Sequence, residues 1–326
     1  MNRLGQPSYD AAMTTQRSNR IDWLLFIILG FMWGSSYLFI KIGVDEGLHP
    51  FTLIALRLGI GFMLLASVVL IARETLPRDP KTYGHLVVMG AVNIAIPFSL
   101  ITWAELTVDS ALASILNAAV PLFVIVIAAI FLRDERITLN RLAGLAVGFV
   151  GVAILVGFDP ADIGRSNAAG EFALIGSTIS YACGAVYARR NIHGLRPMIP
   201  ALFQVGFALV MVLVLAFAFE RPLEVGMTPT AMLAVIWLGL LGSGVAYLVF
   251  FRILGRWGAT RTSMVAYLLP VYGIALGGLV LNEPIDIRLL IGTALIIGGV
   301  ALVNSRYGAR PLFGRNRTPL EAAKPQ

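Results

Sequence analysis

The feature that most constrains this chain is a series of ten apolar stretches separated by short polar connections. A helix needs roughly 20 apolar residues, at about 1.5 Å each, to cross about 30 Å of hydrocarbon. The chain is 58% hydrophobic and 13% charged, whereas soluble domains are about 25% charged. This pattern predicts an all-α integral membrane protein with ten transmembrane helices. The stretches cover residues 22–44, 50–72, 83–104, 109–131, 138–157, 170–189, 198–219, 230–251, 259–281 and 286–304.

The placement of positive charge predicts the orientation of these stretches. Of the 25 Lys and Arg residues, 20 fall on the side of the two tails and the even-numbered connections, four fall on the opposite side, and Arg57 lies within a stretch. Cytoplasmic loops carry the excess of Lys and Arg, so both termini are predicted to be cytoplasmic. The net charge of +7 therefore indicates membrane topology rather than binding of nucleic acid. We expect a multi-pass protein of a bacterial inner membrane.

The two halves of the chain repeat each other at a distance of 148 to 150 residues. Each half contains five stretches, an odd number, so the second copy is predicted to enter the membrane from the opposite face. The predicted domains are a cytoplasmic tail (1–21), a first repeat (22–157), a periplasmic linker (158–169), a second repeat (170–304) and a basic cytoplasmic tail (305–326). The matched pieces are Trp33-Gly34-Ser35-Ser36-Tyr37 with Cys183-Gly184-Ala185-Val186-Tyr187, Asp134-Glu135-Arg136-Ile137 with Asn282-Glu283-Pro284-Ile285, Gly144 and Gly151 with Gly292 and Gly299, and Ser114 and Pro121 with Ser263 and Pro270.

Three long segments carry a family pattern: LLFIILGFMWGSSYLFIKIG, SALASILNAAVPLFVIVIAAIFLRDERITLNRLAGLAVGFVGVAIL and GATRTSMVAYLLPVYGIALGGLVLNEPIDIRLLIGTALIIGGVAL. With them the chain resembles the drug/metabolite transporter superfamily in its ten-span form with two EamA-type repeats. The resemblance implies inverted repeats around a central cavity that opens to each side in turn. Members of the family move amino acids, nucleobases, sugars and drugs, so the resemblance does not choose a substrate.

Three charged residues are candidates for the site. Lys41 lies near the outer end of the first stretch, where it either snorkels to the headgroups or offers a cation to a substrate carboxylate. Arg57 lies deeper, about 10 Å below the outer surface by helix rise, and must be neutralised by an ion pair or by substrate. Glu105 is a candidate gating residue, and we expect it and Asp109 to be peripheral. As a hypothesis, Lys41, Arg57 and Glu105 form one outer polar cluster.

Polar and aromatic side chains within the stretches are expected to line the cavity. Amphipathic rings of this kind suit a small zwitterion with an apolar side chain. Trp103 is equally compatible with the interfacial aromatic belt. Pro121 and Pro270, at matched positions, are candidate gating residues because each removes a backbone hydrogen bond. Together with the basic candidates, the predicted substrate-binding residues are Trp33, Ser36, Tyr37, Lys41, Arg57, Asn93, Trp103, Asn117, Tyr181, Trp237, Tyr247 and Tyr267.

Other functions fit the sequence less well. No histidine falls deep in an apolar stretch and Cys183 is alone, so we expect neither an enzyme, a metal site nor a cofactor. The first helix of each half lacks the carboxylate that carries protons in four-span relatives, which favours facilitated transport. The leading hypothesis is an exporter of small metabolites, most of all apolar or aromatic amino acids, and the alternative is a proton-coupled multidrug exporter. The partners expected are a small-molecule substrate and the bilayer, with the protein a monomer or weak homodimer.

Overall fold

The computed structural model describes residues 20–132, 138–156, 167–192 and 194–304. Within these ranges the fold is built from ten helical segments. The predicted tails, most of the linker 158–169 and the corner Asp134-Glu135-Arg136-Ile137 lie outside the described residues. The segments are α1 (Arg20–Asp45), α2 (Pro50–Ile71), α3 (Pro80–Ala104), α4 (Ser110–Phe131), α5 (Leu139–Val156), α6 (Ala168–Asn191), α7 (Met198–Phe219), α8 (Pro229–Gly258), α9 (Ser263–Val280) and α10 (Ile287–Asn304).

Eight of these helices are long and apolar enough to cross a bilayer, namely α1 to α5 and α7 to α9. The apolar part of α10 is shorter, Ile287–Val303. The remaining helix, α6, has 24 residues but is rich in small and hydroxyl-bearing ones. Its hydroxyls turn inward: Ser177 donates to the Leu174 carbonyl at 2.7 Å, and Ser180 donates across to the Val92 carbonyl of α3 at 2.6 Å. The described part of the chain is therefore a multi-span helical membrane protein.

Helices at matched positions of the two halves pack against each other in antiparallel pairs. The most extensive pairing joins α5 to α10. A Cβ placed on Gly144 would come within 2.6 Å of the Gly299 carbonyl oxygen, and one on Gly151 within 2.9 Å of the Gly292 oxygen. These glycines let the two backbones touch, as small residues do between membrane helices. Their pairing in reverse chain order shows that α5 and α10 run in opposite directions.

The same relation holds for α2 with α7. Glu220, at the end of α7, accepts hydrogen bonds from the first residues of α2, and Arg196, just before α7, pairs with Glu74, just after α2, at 2.8 Å. In α4 and α9, a Cβ on Gly273 would meet Ser114 and one on Gly277 would meet Ser110. The contacts again run in reverse chain order. Three matched pairs are thus antiparallel.

Both halves depart from regular α-helix at matched places. The third helix of each half contains a π-helical segment, Ala91–Ala95 in α3 and Trp237–Val245 in α8. The fourth helix of each half is also interrupted: α4 breaks after Asn117 and resumes at Val120, and α9 begins with the 3₁₀ turn Ser263–Tyr267. Such interruptions free backbone groups that a continuous helix would hold.

Candidate functional site

The centre of the candidate site is Arg57 on α2, which is buried with only 3% of its surface exposed. Its Nε donates to the Ser243 hydroxyl of α8 at 3.2 Å, and its guanidinium lies 4.3 Å from the centroid of the Phe98 ring on α3. No carboxylate oxygen of the described residues lies within 4.0 Å of it. Of the two alternatives for Arg57, the structural ion pair is therefore not formed with any of these residues.

Three tyrosines and one acid lie near this cation. The guanidinium interacts electrostatically with Tyr181 of α6, Tyr247 of α8, Glu105 after α3 and Tyr37 of α1. The Tyr247 ring also lies 6.3 Å from that of Trp33 on α1, edge to face. The predicted residues Tyr37, Tyr181 and Tyr247 thus lie near Arg57, and Trp33 packs against Tyr247. The tyrosine hydroxyls and the ring faces make a partly polar wall.

A second contact between α1 and α8 lies beside this wall. The Trp237 indole N–H donates to the Ser35 hydroxyl at 3.0 Å, and its ring stacks on Phe39 with centroids 4.6 Å apart. Ser36 is buried and donates to the Met32 carbonyl at 2.9 Å. A Cβ placed on Gly242 would meet the Ser36 hydroxyl and the Arg57 guanidinium. Glycine at position 242 therefore lets the backbone of α8 approach Ser36 and Arg57 closely.

The predicted outer cluster forms only in part. Lys41 is half-buried, pairs with Asp45 at 3.0 Å and donates to the Glu105 backbone carbonyl at 3.0 Å. It is therefore already neutralised on its own helix. Contrary to expectation, Glu105 is not peripheral: its exposure is 0%, and neither carboxylate oxygen has a hydrogen-bond partner in the described part of the chain.

Four other predicted residues have surroundings of their own. Asn93 donates to the Gln204 side chain at 3.0 Å, between α3 and α7. Trp103 is 46% exposed at the end of α3, as the interfacial alternative expects. Asn117 is buried at the break in α4, and its amide nitrogen has no partner among the described residues. Tyr267 is half-buried where the 3₁₀ turn of α9 ends.

The two candidate gating prolines sit directly after the interruptions in their helices. Pro121 is the second residue of the resumed part of α4, and Pro270 is buried near the start of the α-helical part of α9. The helix is thus interrupted just before each proline, and both prolines lie near the middle of their segments, Ser110–Phe131 and Ser263–Val280. Proline suits the first turn because its missing N–H has no partner to lose there.

Two glutamates with clear roles escaped the sequence reasoning. Glu220 accepts from the Phe51 N–H at 2.9 Å and from the Thr52 N–H and hydroxyl at 2.7 Å each. Glu283 accepts from the N–H groups of Ser110 and Ala111 at 2.8 and 2.9 Å. Each carboxylate caps the start of a helix from the other half, where the helix dipole favours negative charge. The repeated glutamate at the corners of residues 134–137 and 282–285 was a signal for Glu283, whereas nothing local marked Glu220.

The cavities lie at the end of the bundle that these caps close. One, of about 480 Å³, is lined by Glu46, His49, Glu220, Arg221 and Glu224 among others. A second, of about 300 Å³, is lined by Phe51, Ser99, Trp103 and Phe219 with their neighbours. Neither reaches the Arg57 cluster, which is enclosed by side chains.

A helical bundle of this kind, with a buried cation and polar wall between interrupted helices, is the fold of a membrane transporter. The chain belongs to the EamA-like transporter family, whose model matches it twice, over residues 21–157 and 168–305. This confirms the resemblance drawn from the sequence. One solved crystal structure shares the fold, with a TM-score of 0.62 at 23% identity over 88% of this chain and 97% of that one.

Several curated relatives are transporters of similar length. "Uncharacterized transporter YoaV" of Bacillus subtilis (strain 168) is 25% identical, over 86% of this chain and 95% of its own. A "Probable amino-acid metabolite efflux pump" of Escherichia coli (strain K12) is 26% identical, over 86% and 94%. "Uncharacterized inner membrane transporter YedA" of the same strain is 27% identical, over 83% and 87%.

Proposed function

We propose that this protein exports small carboxylate-bearing metabolites, amino acids above all, by alternating access through the centre of the bundle. The substrate carboxylate pairs with Arg57, and the rings of Trp33, Trp237 and Tyr247 receive an apolar or aromatic side chain. The protein works in the bacterial inner membrane as a monomer or weak homodimer. Its partners are the substrate and the surrounding lipid.

Ten spans in two inverted repeats are part of this proposal. The antiparallel packing of α2 with α7, α4 with α9 and α5 with α10 supports inversion, because matched helices of inverted halves run in opposite directions. If α6 and α10 also cross the membrane, successive helices run in alternating directions along the whole chain. The excess of Lys and Arg on one side supports cytoplasmic termini. The two repeats are residues 22–157 and 170–304, flanked by tails 1–21 and 305–326 and joined by a periplasmic linker, 158–169.

The observation that carries the substrate class is that Arg57 forms no ion pair with any of the residues that the structure describes. A buried arginine at membrane depth costs about 2.5 kcal/mol or more unless it is compensated. The Phe98 ring and the Ser243 hydroxyl compensate it only partly, since neither carries a negative charge. A carboxylate forms paired, charge-assisted hydrogen bonds with guanidinium, which makes it the ligand that this site fits best. The relatives named as amino-acid metabolite efflux pumps support the same class.

Alternating access requires elements that bend. The interruptions before Pro121 and Pro270 and the π-helical segments of α3 and α8 supply four, two in each half. We expect the halves to move at these points, so that the cluster around Arg57 opens to one side at a time. The buried state of the cluster corresponds to a closed conformation.

The test is uptake into proteoliposomes of labelled phenylalanine and of phenethylamine, which lacks the carboxylate. We expect wild-type protein to transport the amino acid and reject the amine. Arg57→Gln is expected to abolish amino-acid transport, and Arg57→Lys to reduce it, because an ammonium cannot make the paired contact. Arg221→Gln is the matched control, since the Arg221 side chain is 81% exposed and pairs with Glu224, three residues on. Equal transport of acid and amine, or full activity of Arg57→Gln, would overturn the assignment.

A further inference from the structure

Glu105 is a buried acid that substrate binding at Arg57 does not use. It follows α3 directly, has 0% exposure, and has no donor to either carboxylate oxygen within the described ranges. Lys41 donates to its backbone carbonyl and not to its carboxylate. An ionised carboxylate without donors is expensive to bury, whereas the neutral acid is not.

The charges that face Glu105 come from several elements. Lys41 on α1 and Arg57 on α2 favour its ionised form, whereas Asp45 on α1 and Glu283 in the α9–α10 connection oppose it; Tyr37 on α1 also faces it. Asp109 follows in the same connection, and Glu171 lies at the start of α6. Loss of hydration outweighs the attractions, so burial raises the pKa of Glu105 well above its ordinary value.

Glu105 also lies where the bundle is tied shut. Glu283 binds the first residues of α4, Thr228 before α8 donates to Glu46 at 2.5 Å, and Lys41 ties α1 to the start of the α3–α4 connection. These bonds involve the connections α1–α2, α3–α4, α7–α8 and α9–α10, which lie at one end of the bundle. Opening this end must separate the start of α4 from Glu283 and admit water to Glu105.

We propose that Glu105 takes up one proton from the external solution when this end of the bundle closes and releases it when this end opens. The proposal rests on the proposed function in two respects, that this end faces the outside and that it opens and closes. A proton that binds one conformation better than the other shifts their equilibrium. The pKa of an exposed glutamate is about 4.3. The bound proton therefore favours the closed conformation most strongly below that pH, and this effect is lost as the pH rises toward the higher pKa that Glu105 has in the closed conformation.

A cysteine reporter tests this without any substrate. Ser110 is fully buried beside Glu283, so Ser110→Cys in a Cys183→Ala background should react with an impermeant maleimide only when the end is open. Labelling is measured in proteoliposomes over a range of external pH. Leu223→Cys, at a position 87% exposed, corrects for the pH dependence of the thiol itself. We expect the corrected labelling rate to rise by up to about tenfold per pH unit between the pKa of Glu105 in the open conformation and its pKa in the closed one.

Glu105→Gln cannot titrate and should give a pH-independent rate. Asp109→Asn, in the same connection, should keep the slope. A slope that survives Glu105→Gln, or one that Asp109→Asn abolishes, overturns the proposal. If Glu105→Gln does not insert, the infrared carbonyl band of a protonated acid in wild-type protein, followed over the same pH range, decides. Its absence above about pH 4.3, or a band left unshifted in Glu105→Asp, overturns the proposal, and a band that shifts in Glu105→Asp supports it. Failed amino-acid uptake with the slope intact would count against the proposed function alone.

Discussion

Thr52, at the start of α2, donates both its N–H and its hydroxyl to the Glu220 carboxylate at the end of α7, each at 2.7 Å. Helix α2 carries Arg57, and α7 belongs to the other half of the chain. The first turn of the helix that positions the candidate site is therefore held by the opposite half, through a charge-assisted cap.

Glu220→Ala is expected to destabilise the protein. It leaves the first N–H groups of α2 without an acceptor, and hydrogen bonds to charged groups contribute about 1.5–3 kcal/mol. Thermal unfolding in detergent should show a clear fall in Tm. Glu224→Ala is the control, because Glu224 is 68% exposed and pairs only with Arg221, and its Tm should stay within error of wild type. Equal losses in both variants would contradict the assigned cap.

Neighbouring glycines of α10 should respond differently to alanine. A Cβ on Gly299 would lie 2.6 Å from the Gly144 oxygen and the Gly148 nitrogen, whereas one on Gly298 would meet nothing within 4 Å. Backbone atoms cannot move aside, so Gly299→Ala should cost about 1–3 kcal/mol. Gly298→Ala should be neutral or slightly stabilising. Chemical or thermal unfolding of the two variants makes the comparison, and a neutral Gly299→Ala would contradict the close α5–α10 packing.

The bond from Arg57 to Ser243 should support substrate binding. Ser243→Ala removes the one hydroxyl that holds Nε, so the guanidinium loses its fixed orientation. We expect KM for the transported amino acid to rise roughly tenfold or more, since a hydrogen bond to a charged group contributes about 1.5–3 kcal/mol. The control is Ser67→Ala. Ser67 is an exposed serine on α2, the helix that carries Arg57, and its hydroxyl donates to the Met63 carbonyl, so KM should be unchanged.

The Trp237 and Ser35 pair can be measured directly. Trp237→Phe keeps a ring against Phe39 but removes the N–H that reaches Ser35. A double-mutant cycle with Ser35→Ala should give a coupling energy of about 0.5–1.5 kcal/mol in stability. Additive effects of the two substitutions would show that the hydroxyl and the indole do not interact in the membrane.

The stability of the solubilised protein should also depend on pH through Glu105. Its pKa is raised in the folded state, so the folded protein binds more protons than the unfolded chain over the window above about pH 4.3. The free energy of unfolding should therefore fall as pH rises through that window, by at most about 1.4 kcal/mol per unit. The Tm difference between wild type and Glu105→Gln, measured as a function of pH, isolates the contribution of Glu105 to the pH dependence of stability. A difference that is constant with pH would contradict a protonated Glu105.

Local sequence predicted the helices well because hydrophobic length and helix-breaking residues are read within one segment. Stretches 50–72 and 198–219 became Pro50–Ile71 and Met198–Phe219. The prediction fell short where a helix continues past its apolar part: the stretch 230–251 stops seven residues before the end of Pro229–Gly258. Backbone hydrogen bonds continue that helix past residue 251, where the apolar stretch ends.

Composition and periodicity thus determined by themselves that this chain is a helical membrane protein with a repeated pattern and a costly arginine in its second span. Only the tertiary structure decided which charged groups are paired, which cap a helix and which are buried. The residues that cap α2 and surround Arg57 come from distant parts of the chain: Phe51 and Glu220, which share a hydrogen bond, are 169 positions apart. Burial and pairing depend on which helices meet, and a one-dimensional pattern does not specify those distances.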